Sequence, residues 1–204
     1  MSVGPILLGA LVSGLGPAEP TEASTSTPEA RAAAQTFGEC LADRSPELSA
    51  ETLRRDFRTT AYKNSLLQLA RVNEGCFRTS GTMRSGGLLI AGAMAERLLE
   101  RGSVPVNVQL ARAAMEPAPQ PRTPAEAVAI CLVRSVPDDV GRLLATEVAS
   151  EAETAALRGI DSVARLCNRS GHELQISDAG MRSILAAAAF RSVQGGNQAS
   201  EAGN

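Results

Sequence analysis

Between residues 28 and 194 apolar side chains recur at intervals of three and four, the spacing that gathers one face of an α-helix. After Thr27-Pro28 the stripe is Ala30, Ala33, Phe37, Cys40 and Leu41, and after Thr123-Pro124 it is Ala127, Ile130 and Cys131. Each Thr-Pro pair offers an N-cap followed by a proline whose missing N–H costs nothing in the first helical turn. Short helices are expected from Pro46 and Pro137, carrying Leu53 and Leu144. A third helix opens near Thr60 in one segment and at Ser150 in the other, and ends at Cys76 or Cys167. Ser150 with Glu153 reads as a capping box, and the stripe behind it is Leu157, Ile160, Val163, Ala164 and Cys167. A fourth helix begins after Ser85 or Ser177, with Leu89, Met94 and Leu98 in the first instance and Met181, Ile184, Leu185 and Ala188 in the second. The pattern predicts an all-α protein.

The four cysteines turn this pattern into a repeat. Cys40 to Cys76 spans 36 positions, Cys131 to Cys167 spans 36 again, and the second pair lies 91 residues after the first. A shift of 91 also superposes Leu41 on Leu132, Pro46 on Pro137, Leu53 on Leu144, Ala61 on Ala152, Leu66 on Leu157, Val72 on Val163 and Arg78 on Arg169. The expectation is a tandem duplication of a roughly four-helix unit, residues 28–101 and 124–194, packed together into one cooperative body. Each unit alone has too small a core and too few aromatics to be more than marginally stable.

The intervening segment 102–123 reads as a linker. Its proline-rich part, Glu116 to Pro124, cannot hold a helix, and the alternating run Val104, Val106, Val108, Leu110 has no evident strand partner. That run is expected as an extended segment laid over the core. At the start, Gly4 to Leu15 is an uncharged apolar run of signal-peptide length, too short for a spanning helix. Residues 1–18 are therefore read as a signal peptide, with cleavage expected after Ala18 and Ala23 as the alternative, and 19–27 as a flexible spacer rich in Pro, Ser, Thr and Glu. A buried N-terminal helix is the alternative. Residues 195–204 read as a disordered tail. The mature chain is expected in the periplasm or secreted, with no transmembrane span.

Three uses of the cysteines compete: two disulfides, a zinc site or buried free thiols. Zinc ligands usually arrive as closely spaced pairs, and none occurs here; C-x-x-C redox chemistry is absent for the same reason. The apolar leader points to an oxidising compartment. Within-unit disulfides, Cys40 with Cys76 and Cys131 with Cys167, are therefore expected, with free thiols as the alternative. No metal or other cofactor is expected.

Composition narrows the function classes. One Tyr, four Phe, no Trp and a formal net charge of −2 leave little aromatic surface for stacking bases and no field for a phosphate backbone, so nucleic acid is not expected as a partner. The single histidine, His172, has Ser170 and Asp178 nearby in sequence, but a serine two residues from its base gives no nucleophile elbow. No catalytic residue is assigned. Gly86-Gly87 lacks the Lys-Ser/Thr of a phosphate loop. The feature common to both units outside the helices is the loop after the second cysteine, with Arg78 and Ser80 in one copy and Arg169 and Ser170 in the other. An arginine beside a Ser-Gly turn could bind a carboxylate or phosphate; a solvated turn is the alternative.

The segment Cys131 to Val193, with a leucine after its first cysteine, a proline six residues on, a second cysteine and a terminal helix, resembles exported helical proteins of alphaproteobacteria that carry no assigned activity. More distantly, the helical Cys-to-Cys unit is similar to the Rap1a/Tai periplasmic immunity proteins, although their Gly-Tyr motif after the first cysteine is missing. The resulting expectation is a non-enzymatic exported protein acting through an unknown protein or envelope component. An inhibitor of the immunity type is the alternative, and an envelope hydrolase using His172 a further one.

Overall fold

The computed structural model of the chain describes residues 27–77, 87–169, 171, 174 and 176–202. Among them are nine α-helices and no strand. In chain order these are α1 (Pro28–Arg44), α2 (Pro46–Arg54), α3 (Thr60–Val72), α4 (Gly87–Glu100), α5 (Val106–Ala113), α6 (Pro124–Ser135), α7 (Pro137–Leu144), α8 (Glu151–Cys167) and α9 (Asp178–Ala202). The sequence punctuation accounts for where they start. Thr27 Oγ1 accepts from the Ala30 N–H at 3.3 Å and Thr123 Oγ1 from the Glu126 N–H at 3.2 Å, each followed by a proline in the first turn. Thr59 and Ser150 cap α3 and α8 in the same way.

Helices α1 to α4 and α6 to α9 present the same order of elements, with α5 between them. The 91-residue shift carries the first residues of α2, α3 and α4 onto those of α7, α8 and α9. At the centre α4 crosses α9; α1 lies against α4, and α6 against α9. Both contacts on α4 use residues without bulk. A Cβ added at Gly92 would stand 2.6 Å from the Ser183 Cβ, and one added at Gly38 would stand 2.5 Å from the Ala93 Cβ. Glycine is required there by close approach of the helices. Around the crossing a single core gathers Leu41, Met94, Leu132, Leu143 and Leu185, all fully buried, from both halves. Each such side chain contributes about 1.5–3 kcal/mol on leaving water, so a core drawn from both halves stabilises each more than it could alone.

Two disulfides staple the halves, Cys40–Cys76 and Cys131–Cys167, each with Cα atoms 5.7 Å apart. Both fall where the spacing placed them. In three places the structure departs from the sequence reading. The alternating run from Val104 is not extended: from Val106 it forms α5, so segment 102–123 is partly a helix seated against α7 and α9. Val106, Leu110 and Ala113 also fit a 4-and-3 helical spacing. That pattern wins because a lone strand leaves its backbone N–H and C=O groups unpaired, whereas a helix pairs them internally while burying Leu110 and Ala113. Helix α9 continues through residues 195–202, where the composition predicts a disordered tail, since extending an established helix adds a hydrogen bond for each residue fixed. The third helix of the first half ends at Val72, and Cys76 sits in a separate 3₁₀ turn, Glu74–Cys76.

Candidate functional site

Of the loop residues singled out in the sequence, Arg78, Ser80 and Ser170 lie outside the described residues, as does His172. Arg169 is exposed, with its backbone N–H donating to the Cys167 carbonyl at 3.0 Å. Among the described residues no three His, Cys, Asp or Glu side chains are grouped to hold a metal ion, and no helix is long and apolar enough to cross a membrane. The two disulfides point to an oxidising compartment.

The features that could bind something lie elsewhere, along the α4–α9 seam and beside it. The first is a groove of about 530 Å³ between α3 and the α1–α4 pair. Of the five aromatic residues in the chain, Phe37, Phe57, Tyr62 and Phe77 all line it. The Phe37 and Phe77 rings lie 4.5 Å apart and tilted, and Phe57, Leu67, Phe77 and Leu88 are substantially exposed. The groove exists because α3 rests chiefly on α2 and stands off α1, whereas its counterpart α8 packs directly on α6 and α7. An open apolar surface with this concentration of aromatics is the kind of patch that marks an interaction site.

The second feature is a buried ion cluster on one side of the α4–α9 crossing. Arg182 of α9, 4% exposed, grips Glu96 of α4, 3% exposed, through two parallel bonds of 2.8 Å. Its remaining donors reach Thr146 Oγ1, the Leu144 and Thr146 carbonyls and, at 3.5 Å, Glu153 Oε1. Glu153 of α8, 1% exposed, also accepts from Arg31 of α1 at 2.6 and 2.7 Å and from the Ala149 N–H at 2.8 Å. Ala149 takes a left-handed φ of 60°, a strained geometry for a residue with a Cβ, and its N–H is nevertheless spent on Glu153. Gln35 donates to Glu96 at 3.1 Å. Two guanidinium groups thus meet two carboxylates, and every partner is hydrogen-bonded. Burial pushes the Glu96 carboxyl above its ordinary range, with Arg182 and Gln35 pulling against it. Between Arg31, Arg182 and Ser183 the space left is only about 20 Å³, while Glu96 and Leu144 also border a separate open groove of about 530 Å³ against α5 and α7.

On the other side of the same crossing lies a cavity of about 340 Å³. Leu53, Leu88, Ala91, Ile184 and Ala187 form its apolar walls, Phe57 and Tyr62 separate it from the aromatic groove, and Arg55, Arg122, Glu126 and Arg191 stand at its polar margin. The cavity and the cluster correspond position by position under the 91-residue shift. Arg31 corresponds to Arg122, Glu153 to Tyr62, Arg182 to Ala91, Glu96 to Ala187 and Val148 to Phe57. Ser183 and Gly92, which touch at the crossing, correspond to each other. The cavity is open because alanines stand where the other side has Arg182 and Glu96.

The charges at the cavity margin do not balance in the same way. Glu126 accepts from Arg191 and from the backbone N–H of Arg122, while Arg55 pairs with Glu51 and Arg58 with Asp56. The Arg122 guanidinium donates to the Arg54 carbonyl at 2.6 Å and forms no ion pair with a carboxylate among the described residues. Its burial and the nearby Arg191 charge lower its pKa from the usual arginine value, with the Glu126 and Asp56 carboxylates pulling it back up, and an arginine so placed remains charged. Burial raises the Tyr62 phenol above its usual range, with Arg122 pulling it down.

The sequence carried signals for both sites that pattern reading did not use. Glu96 falls on the apolar stripe of GLLIAGAMAERLLE, and Arg182 sits within AGMRSILAAAAF, among residues otherwise fit for a core. A charge at a buried helical position needs a partner, and the two could have been matched. Glu153 has two roles, since its backbone is capped by Ser150 while its carboxylate reaches past the capping residue to Ala149. Comparison with known proteins returned no match: no family model, no curated protein and no solved structure is matched by this chain.

Proposed function

We propose that this chain is an exported, non-enzymatic helical protein, built by tandem duplication, that acts by binding a protein or envelope component through the apolar surface of its first half. The observation that carries the reading is the grouping of Phe37, Phe57, Tyr62 and Phe77 around one open groove, with Phe57 and Phe77 left exposed there. Phe37 alone of the four belongs to the central core. Exposing apolar area of this kind forgoes burial energy in the free protein, a cost that binding recovers. The two disulfides support the exported location, and Cys40–Cys76 ties α1 to the turn after α3 beside the groove, which pre-organises the surface and lowers the entropic cost of engagement.

The test uses a neutral, polarity-sensitive dye such as Nile red with the disulfide-intact chain. One dye per chain should bind with native-state fluorescence enhancement, and Leu67→Glu combined with Phe57→Gln should abolish it while leaving the melting transition in place, because both side chains are exposed. A native protein that ignores the dye, or a double variant that binds as before, would refute the reading.

A further inference from the structure

We infer that the seam cavity is a binding site for an apolar carboxylate, an acyl chain lying among Leu53, Leu88, Ala91, Ile184 and Ala187 with its carboxylate on Arg122. This rests on the binding role proposed above and assigns a ligand class to the cavity beside the groove. The argument starts from the correspondence across the α4–α9 crossing. On the filled side, Arg31 holds a carboxylate, that of Glu153, through two short bonds. On the open side the matching arginine, Arg122, faces Tyr62 where the carboxylate would be. The arginine has been retained and its internal anion has not. The space that Arg182 and Glu96 fill on one side is bounded by the methyl groups of Ala91 and Ala187 on the other. A ligand that restores both missing parts must bring a negative charge at one end and apolar bulk at the other.

The chemistry of the walls agrees. A volume of about 340 Å³ lies within the range of small-molecule sites, which are mostly apolar with a few placed polar groups. Glu126 at the margin is already held by Arg191 and the Arg122 backbone, so it leaves the Arg122 side chain available. A cationic amphiphile would set its charge against the Arg122 guanidinium, which has no carboxylate on its side chain among the described residues, whereas Arg191 and Arg55 are already paired with Glu126 and Glu51. A neutral alcohol of the same chain length would fill the walls but leave the guanidinium without its anion. Charge therefore selects the carboxylate, and the apolar walls select the chain.

The experiment titrates decanoate, and 1-decanol as the neutral control, into the full disulfide-intact chain, following the fluorescence of Tyr62, the only tyrosine, together with the heat of binding. Decanoate should bind about tenfold or more tightly than 1-decanol, the size of a hydrogen-bonded charge contact. Arg122→Gln should bring decanoate down to the level of the alcohol. Ala187→Met, which fills the cavity without touching the arginine, should block both ligands while leaving the melting temperature unchanged or raised. Equal affinity for acid and alcohol, an unaltered preference in Arg122→Gln, or undiminished binding in Ala187→Met would each overturn the inference. If Nile red still binds the groove in a protein that shows no preference for decanoate, the broader binding role stands and this assignment alone falls; if neither probe binds, both fall.

Discussion

The two sides of the α4–α9 crossing solve one packing problem in opposite ways. On one side Arg182, Glu96, Glu153 and Arg31 fill the space with four charges that cancel. On the other, Ala91 and Ala187 leave about 340 Å³ open beside an arginine with no carboxylate bound to its side chain among the described residues. The reason the two solutions differ lies in what a buried charge costs. Removing one member of a buried pair strands a charge, whereas replacing both members together leaves only a question of volume. Alanine at both positions is the arrangement that avoids the stranded charge, and the resulting void is apolar. The halves differ in the same sense further out, where α8 packs closely on α6 and α7 while α3 stands away from α1 and leaves the aromatic groove.

Breaking the filled side should have the largest effect. Glu96→Ala leaves Arg182 buried with Glu153, at 3.5 Å, as the one carboxylate near it among the described residues, and a loss of about 3–5 kcal/mol is expected. Adding Arg182→Ala should cost less than the two single losses together, by roughly 1 kcal/mol or more. Urea midpoints of the two single variants and the double variant check both statements, and simple additivity would show that the pair does not act as a unit.

Removing one disulfide should come next. Each closes a loop of 36 residues, worth about 3–4 kcal/mol by chain entropy. The global losses from Cys40→Ala/Cys76→Ala and from Cys131→Ala/Cys167→Ala should therefore be similar, while the local consequences should not. Helix α3 has little beyond α2 and the Cys76 turn to hold it, whereas α8 keeps its contacts with α6 and α7. Amide exchange should accelerate in α3 in the first variant far more than in α8 in the second. Equal acceleration would remove the distinction between the halves.

Smaller substitutions at the crossing sharpen the same contrast. Gly92→Ala puts a methyl within 2.6 Å of the Ser183 Cβ and should cost about 1–3 kcal/mol. Ala91→Leu, one residue away but facing the cavity, should be neutral or stabilise by up to about 1 kcal/mol as it fills space. A destabilised Ala91→Leu would mean that the cavity walls cannot accept the added bulk.

The smallest effect is electrostatic. Hydrogen bonding to Arg97 holds the Asp43 carboxyl below its ordinary range, with Arg101 adding to it. A carboxyl lowered by folding contributes stability above its unfolded pKa, near 3.9, and loses that contribution as pH falls through the folded value. Because the pair is exposed, the contribution is slight, and carboxyl carbon NMR is the suitable measurement. Its midpoint should lie below that of an unfolded Asp, and a midpoint at or above it would contradict the pairing.

Much of the fold was legible from local rules. Thr27, Thr123 and Ser150 cap the helices they were expected to cap, and the cysteine spacing paired the right residues. These signals act over one turn or through covalent geometry. The alternating run at Val104 misled because period two and the 4-and-3 spacing coexist over so few residues, and only the packing of Leu110 against α7 and α9 decides between them. The site was hidden for a different reason. Arg182 meets Glu96 across 86 positions, and the cavity is defined by the absence of bulk at Ala91 and Ala187, which no local pattern marks. The loop arginines drew notice because they repeat in sequence, yet the structure places Arg169 in solvent. The repeated arginines that matter are Arg31 and Arg122, whose partners come from the opposite half.

Xenon distinguishes a side of the crossing filled by charge from an open apolar counterpart. A dry apolar cavity takes up xenon, whereas a hydrogen-bonded ionic cluster offers it no room. Crystals of the native protein under xenon pressure should show density among Leu53, Ala91, Ile184 and Ala187 and none beside Arg182. Density beside Arg182, or an empty seam with its side chains closed over the cavity, would contradict the account.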